Sequence, residues 1–144
     1  MIDLLQRLLR TRPTALPDPG AHLALAALLV RVARVDGVYS ADEQGRITTA
    51  LCHQFTLSGA EATALRLRAE EFEAAAPDTV RFTRAIKDAV PLDQRAAVMQ
   101  VLWQVALADG TRHADEDALL RLVASLLGLS DVASAQARQK AALP

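Results

Sequence analysis

The sequence predicts an all-α fold: a single domain of seven or eight helices built from two pseudo-symmetric helix–corner–helix halves. Three observations carry this expectation. Half of the 144 residues are apolar, chiefly Ala and Leu, and aromatics make up only 3%, a composition of good helix formers with few β-branched clusters. No segment alternates apolar and polar residues with period two for long enough to make a strand. The third is an internal repeat: VARVDGVYSADE at 32–43 returns as VALADGTRHADE at 105–116, with seven of twelve positions identical at a constant offset of 73. Each unit is a long apolar helix, a tight corner and a capped second helix. Neither could bury its central helix alone, so the halves should pack on each other.

Taken in order, residues 2–10 place Leu4, Leu5, Leu8 and Leu9 on one stripe, which predicts a short amphipathic helix. The stretch TRPTALPDPG then puts three prolines and a glycine into a linker that cannot continue a helix. The expected organisation is therefore an N-terminal helix and Pro-rich linker over 1–20 and a helical domain over 21–144. A helix over about 21–36 carries apolar residues around nearly its whole circumference, which predicts a central, buried position. Gly37 ends it, and Ser40 with Glu43 forms a capping box for a helix over about 41–55. Ser58 and Glu61 repeat that signal for a helix to about 75, and Asp78 caps a further helix through Ala89. After Pro91 a second long apolar helix runs to Asp109. Helices over about 114–127, stopped by Gly128, and 131–142, capped by Ser130, complete the chain.

Charge and cysteine usage narrow the function classes. A net charge of −1 creates no field that would draw the protein to nucleic acid or an anionic membrane. The single Cys52 excludes an internal disulfide and a thiolate zinc cluster, and fits a reducing compartment. The N-terminus carries Asp3 and two arginines within ten residues, unlike a secretory signal, and Arg31 and Arg34 interrupt the most apolar run, so cytoplasm is expected. Cys52 and His53 are adjacent and diverge by about 100° on a helix, so they form no nucleophile–base pair. His22, His53 and His113 lack an i, i+4 histidine partner. Trp103 is expected in the core, and Arg81, Arg84 and Lys87 on a solvated face opposite Phe82 and Ile86.

The repeated corner is the candidate site. Gly37 and Gly110 follow a helix end, where positive φ favours glycine. Asp36 and Asp109 oppose the helix dipole by roughly 0.3–1 kcal/mol, which backbone amides folding onto the carboxylate, or a cation, would offset. In an EF-hand register Asp36 and Gly37 fall at loop positions 5 and 6, Ser40 at 9 and Glu43 at 12; Asp109, Gly110 and Glu116 match likewise. Positions 1 and 3 are Val32 and Arg34 in one loop, Val105 and Leu107 in the other, and calcium needs six to eight oxygens. The corners are not EF-hands. Asp42 and Asp115 could add oxygens or favour a helix N-terminus. A structural corner is the expectation, with a weak calcium or magnesium site as its rival.

These segments, with FTRAIKDAVPLDQR and VLWQVALADGTRHADEDALLRLVASLLGLSD, resemble the tellurite-resistance TerB family in its stand-alone small-protein branch, over roughly residues 21–140. The resemblance implies an all-helical bacterial cytoplasmic protein associated with tellurite and other chemical stress, with no established catalytic reaction. It also implies candidate metal ligands at Asp36, Glu43, Asp109 and Glu116. The sequence departs from the family pattern at His113, where a Ser, Thr or Asp cap is usual; Gly45 inside a helix is a second oddity. The function expected is a non-enzymatic binding or scaffold module with no required cofactor; the alternative is a metal-assisted hydrolase or transferase using the paired acidic corners. The partners expected are proteins, with a homo-oligomer also open to the chain, and no nucleic acid.

Overall fold

The computed structural model describes residues 20–35, 37–75, 78–108 and 114–143. They form seven α-helices and one 3₁₀ turn: α1 (Ala21–Arg34), α2 (Ala41–Phe55), α3 (Gly59–Ala75), α4 (Thr79–Ala89), the 3₁₀ turn Leu92–Gln94, α5 (Arg95–Leu107), α6 (Ala114–Leu126) and α7 (Asp131–Ala141). No strand occurs among the described residues, and the all-α expectation holds. The expected helix 2–10 lies outside them.

α1 is the axis of the fold. Its run of Ala, Leu and Val leaves no polar face wide enough for solvent, and Ala24 through Val30 are all buried. It packs on α2, α3, α4, α5 and α6. Leu28 and Leu29 are completely covered, each contributing about 1.5–3 kcal/mol through burial. α5, the second central helix, meets α1 and buries Val98, Met99, Leu102 and Trp103, while α7 covers its other side. The two expected central helices are thus in contact. Trp103 is a core residue, as expected, and the Arg138 guanidinium lies 5.7 Å from its ring centroid.

The helix boundaries follow local chemistry. α1 stops two residues short of the expected end, because its last turn tightens: Val35 N–H donates to Val32 O at 3.4 Å and Gly37 N–H to Arg34 O at 2.9 Å. Gly37 takes φ +84°, a left-handed conformation that glycine adopts without a Cβ penalty. Both expected capping boxes are present. Ser40 Oγ accepts from Glu43 N–H at 3.1 Å, and Glu43 Oε1 accepts from Ser40 N–H at 3.0 Å. Ser58 and Glu61 exchange the same pair of bonds at 3.1 and 2.9 Å. The Ser58 backbone N–H and then its hydroxyl hold the Glu61 carboxyl below the usual carboxylate range. Asp78 and Ser130 cap α4 and α7. Gly128, at φ +81°, closes α6, where Leu129 N–H donates to Ala124 O.

Arg95 makes a junction that the sequence pattern does not announce. Its Nε donates to Val90 O at 3.0 Å, Nη2 to Lys87 O at 3.3 Å and Nη1 to Leu127 O at 3.0 Å. These carbonyls end α4 and α6, where backbone acceptors lack helical partners and the dipole favours a cation. One guanidinium therefore ties two helix ends to the start of α5.

Candidate functional site

The first corner is held by side chains from four helices. Arg34, in the last turn of α1, donates from Nη1 to Glu73 Oε1 at 2.7 Å and to Glu70 O at 3.3 Å. Arg31, one turn earlier, donates from Nε to Glu73 Oε2 at 3.0 Å and from Nη1 to Thr79 Oγ1 at 3.1 Å. Glu73 thus receives a guanidinium on each oxygen. Tyr39, just after the corner glycine, donates its hydroxyl to Glu70 Oε2 at 2.6 Å, and Arg34 lies 4.9 Å from its ring centroid. Arg66 Nη1 reaches the same Glu70 oxygen, and its Nε donates to Thr48 Oγ1 of α2 at 3.0 Å.

This lattice joins α1, α2, α3 and the start of α4 around the turn. Burial chiefly, then the hydrogen bond to Glu70, pushes the Tyr39 phenol well above its ordinary value. Burial works against the charge on Arg66, yet Glu70 and Tyr39 outweigh it and hold that guanidinium above its ordinary value. Partly buried ion pairs that share hydrogen bonds set geometry as much as they add stability.

Of the sequence-derived site residues, Gly37, Ser40, Glu43 and Glu116 are described. Glu43 is engaged in the Ser40 capping box. Gly37 is the left-handed corner residue expected of it. Glu116, in the first turn of α6, is only 6% exposed and is not free of partners. Asp36, Asp109 and Gly110 lie outside the described residues, as does His113, so the amide clamp expected of Asp36 falls there too. Among the described residues no group of three or more His, Cys, Asp or Glu side chains comes together as a metal site.

Sequence reasoning missed Tyr39, Arg66, Glu70 and Glu73. Part of the signal was present: Arg66 and Glu70 stand at i, i+4 and form an ion pair. Their link to the corner is tertiary. Arg81, Arg84 and Lys87 are exposed and opposite buried Phe82 and Ile86, as expected. Cys52 is half-buried, with Sγ 3.7 Å from Ser58 O.

Beside the corner lies an open groove of about 1070 Å³ between α2 and α5. Small and aliphatic residues line it: Gly45, Thr49 and Ala50 from α2, and Ala97, Val101 and Val105 from α5. Asp42, Arg46 and His53 stand on the α2 side, Gln100 and Gln104 on the α5 side. Gly45 is exposed inside α2, and a Cβ built there meets nothing within 4 Å.

The family model for tellurite resistance protein TerB matches residues 22–139, the span from the first turn of α1 almost to the end of α7. The chain belongs to the TerB family. No curated protein and no solved structure matches it. Within the TerB match fall both Asp-Gly corners, the charged lattice and the α2–α5 groove; residues 2–10 lie outside it. No described helix of this TerB-family chain is long and apolar enough to cross a membrane.

Proposed function

We propose that this TerB-family chain is a non-enzymatic binding module of a cytoplasmic tellurite or chemical-stress response, and that the α2–α5 groove takes an amphipathic helix. The observation that carries the reading is the contrast between the corner and the groove. Among the described residues, the charged groups around the first corner are spent on one another or on caps: Glu73 between Arg31 and Arg34, Glu70 between Tyr39 and Arg66, Glu43 on the Ser40 cap. The groove is built of Gly, Ala and Val with amide, hydroxyl and charged groups around them. A shallow apolar channel between two helices suits a helix laid on its apolar face, which is a recurring mode of peptide recognition.

The test is growth of the native host on tellurite with Gly45→Trp in place of the wild-type residue. The new side chain enters open space, so folding is retained, but the groove is filled. Loss of resistance at unchanged protein level, with Arg84→Glu on the exposed basic face remaining resistant, is the expected result. Undiminished resistance in Gly45→Trp contradicts the reading.

A further inference from the structure

A recess of about 350 Å³ lies where α5, α6 and α7 meet, and it shares no lining residue with the α2–α5 groove. Trp103 of α5, Arg121 of α6, and Asp131, Ser134 and Arg138 of α7 line it. α7 packs on both α5 and α6, so these side chains converge from three helices of one core.

The charges here contrast with those of the first corner, where Arg31, Arg34 and Arg66 are each paired with a glutamate. Among the described residues neither Arg121 nor Arg138 forms an ion pair, and Asp131 forms none either. Two cations and one anion therefore stand around the recess without ionic partners. Arg138 is half-buried and lies 5.7 Å from the Trp103 ring centroid, which limits where its donors can stand.

A second observation is independent of charge. Trp103 is 3% exposed, and its Nε1–H is a buried donor without an acceptor among the described residues. Leaving such a donor unpaired costs about 1–3 kcal/mol, and native structures rarely do so. An oxygen held by Arg138 beside the indole supplies an acceptor once the Arg138 side chain shifts to admit it. Ser134, 7% exposed, adds a hydroxyl. Ser130 caps this same end of α7, where the helix dipole adds positive potential toward an anion.

We propose that this recess binds a small protonated oxyanion, one that carries charged acceptor oxygens together with an O–H. Arg121 and Arg138 pair with the charged oxygens through their guanidinium forks. Asp131 sets the specificity. An ionised carboxylate only accepts hydrogen bonds, so it favours a ligand O–H and repels a fully deprotonated oxygen. Hydrogenphosphate and hydrogentellurite share this chemistry. Sulfate, which carries no proton near neutral pH, does not.

The test is a titration of the full chain with sodium phosphate, sodium tellurite and sodium sulfate in turn, at constant ionic strength and without added thiol. Trp103 is the chain's single tryptophan, so its fluorescence and its indole N–H resonance report the recess alone. The expected result is a saturable change below about 10 mM phosphate or tellurite, with sulfate at least about tenfold weaker. Tighter binding of phosphate assigns the recess to phosphate ligands, and tighter binding of tellurite to the oxyanion of the family's name; either supports the proposal. Arg121→Gln, an exposed change that keeps Arg138 on the indole, should weaken binding about tenfold at unchanged melting temperature. Asp131→Asn, which can donate as well as accept, should bring sulfate close to phosphate. No saturable change with phosphate or tellurite overturns the proposal. Sulfate bound as well as phosphate by wild type, or binding indifferent to Arg121→Gln, means an adventitious ion only and overturns it too. Selectivity that survives in Asp131→Asn overturns the role given to Asp131.

Discussion

Tyr39 donates its hydroxyl to Glu70 across 2.6 Å, and this bond fastens the first corner to α3. Arg66 shares the acceptor oxygen, so Tyr39→Phe leaves Glu70 still paired. The expected cost is about 1.5–3 kcal/mol in chemical denaturation, the range for hydrogen bonds to charged groups. A neutral Tyr39→Phe would show that the corner is held by the Arg31, Arg34 and Glu73 pairs alone.

The same bond has a pH signature. Folding raises the Tyr39 phenol above its unfolded value of about 10. Its contribution is whole below that pH and declines as pH rises through the folded value. Tyr39 is the chain's single tyrosine, so tyrosinate absorbance reports this group alone. The ionisation should appear above pH 10 and together with unfolding; a reversible titration near pH 10 in the folded protein would contradict the bond.

The capping box at Ser40 gives a second stability test. Ser40→Ala removes the acceptor of Glu43 N–H and should cost about 1 kcal/mol. Glu43→Gln retains an oxygen for Ser40 N–H and should cost less. If Glu43 served mainly as a cation ligand, Glu43→Gln would be neutral or stabilising in the ion-free protein.

Gly45→Ala should raise stability by about 1 kcal/mol, since the position is helical and a Cβ meets open space. A destabilised Gly45→Ala would mean that the groove side of α2 is packed too closely to admit a Cβ.

The fold was legible in the sequence because its signals are local. Ser40–Glu43 and Ser58–Glu61 are capping boxes in both sequence and structure, and Gly37 and Gly128 take the left-handed φ that their places at helix ends imply. The nearly continuous apolar surface of 21–34 marked the central helix. Thr56 was not legible: it closes α2 at φ +52°, a conformation in which nothing in the residue type announces a helix end. The charged lattice was invisible for a different reason. Arg31 and Glu73, or Tyr39 and Glu70, are far apart in sequence, and only the packing of α3 on α1 brings them together. The groove likewise belongs to the pairing of α2 with α5. Gly45 stood out as a helical oddity in the sequence, but its meaning needed the open space around it.

Whether an ion joins the corners is a matter for Asp36 and Asp109. With Glu43 capping a helix, the structural reading expects Asp36→Asn to destabilise the chelator-treated protein, and by less than Asp36→Ala. A cation site expects the opposite sign for Asp36→Asn, because loss of carboxylate repulsion stabilises the ion-free state. Melting curves of wild type, Asp36→Asn and Asp109→Asn, first with chelator and then with millimolar calcium or magnesium, distinguish them. A wild-type gain of several degrees on adding the ion, absent from both variants, would establish the cation reading.

Acceptance of an amphipathic helix by the α2–α5 groove is read out by an amide NMR titration. The chain receives a synthetic amphipathic helical peptide that carries a single stripe of leucines. The account predicts saturable shifts centred on Gly45, Thr49, Ala50, Val101 and Val105, and their loss when Gly45→Trp is added. No shift at millimolar peptide, or shifts that Gly45→Trp leaves unchanged, would contradict it.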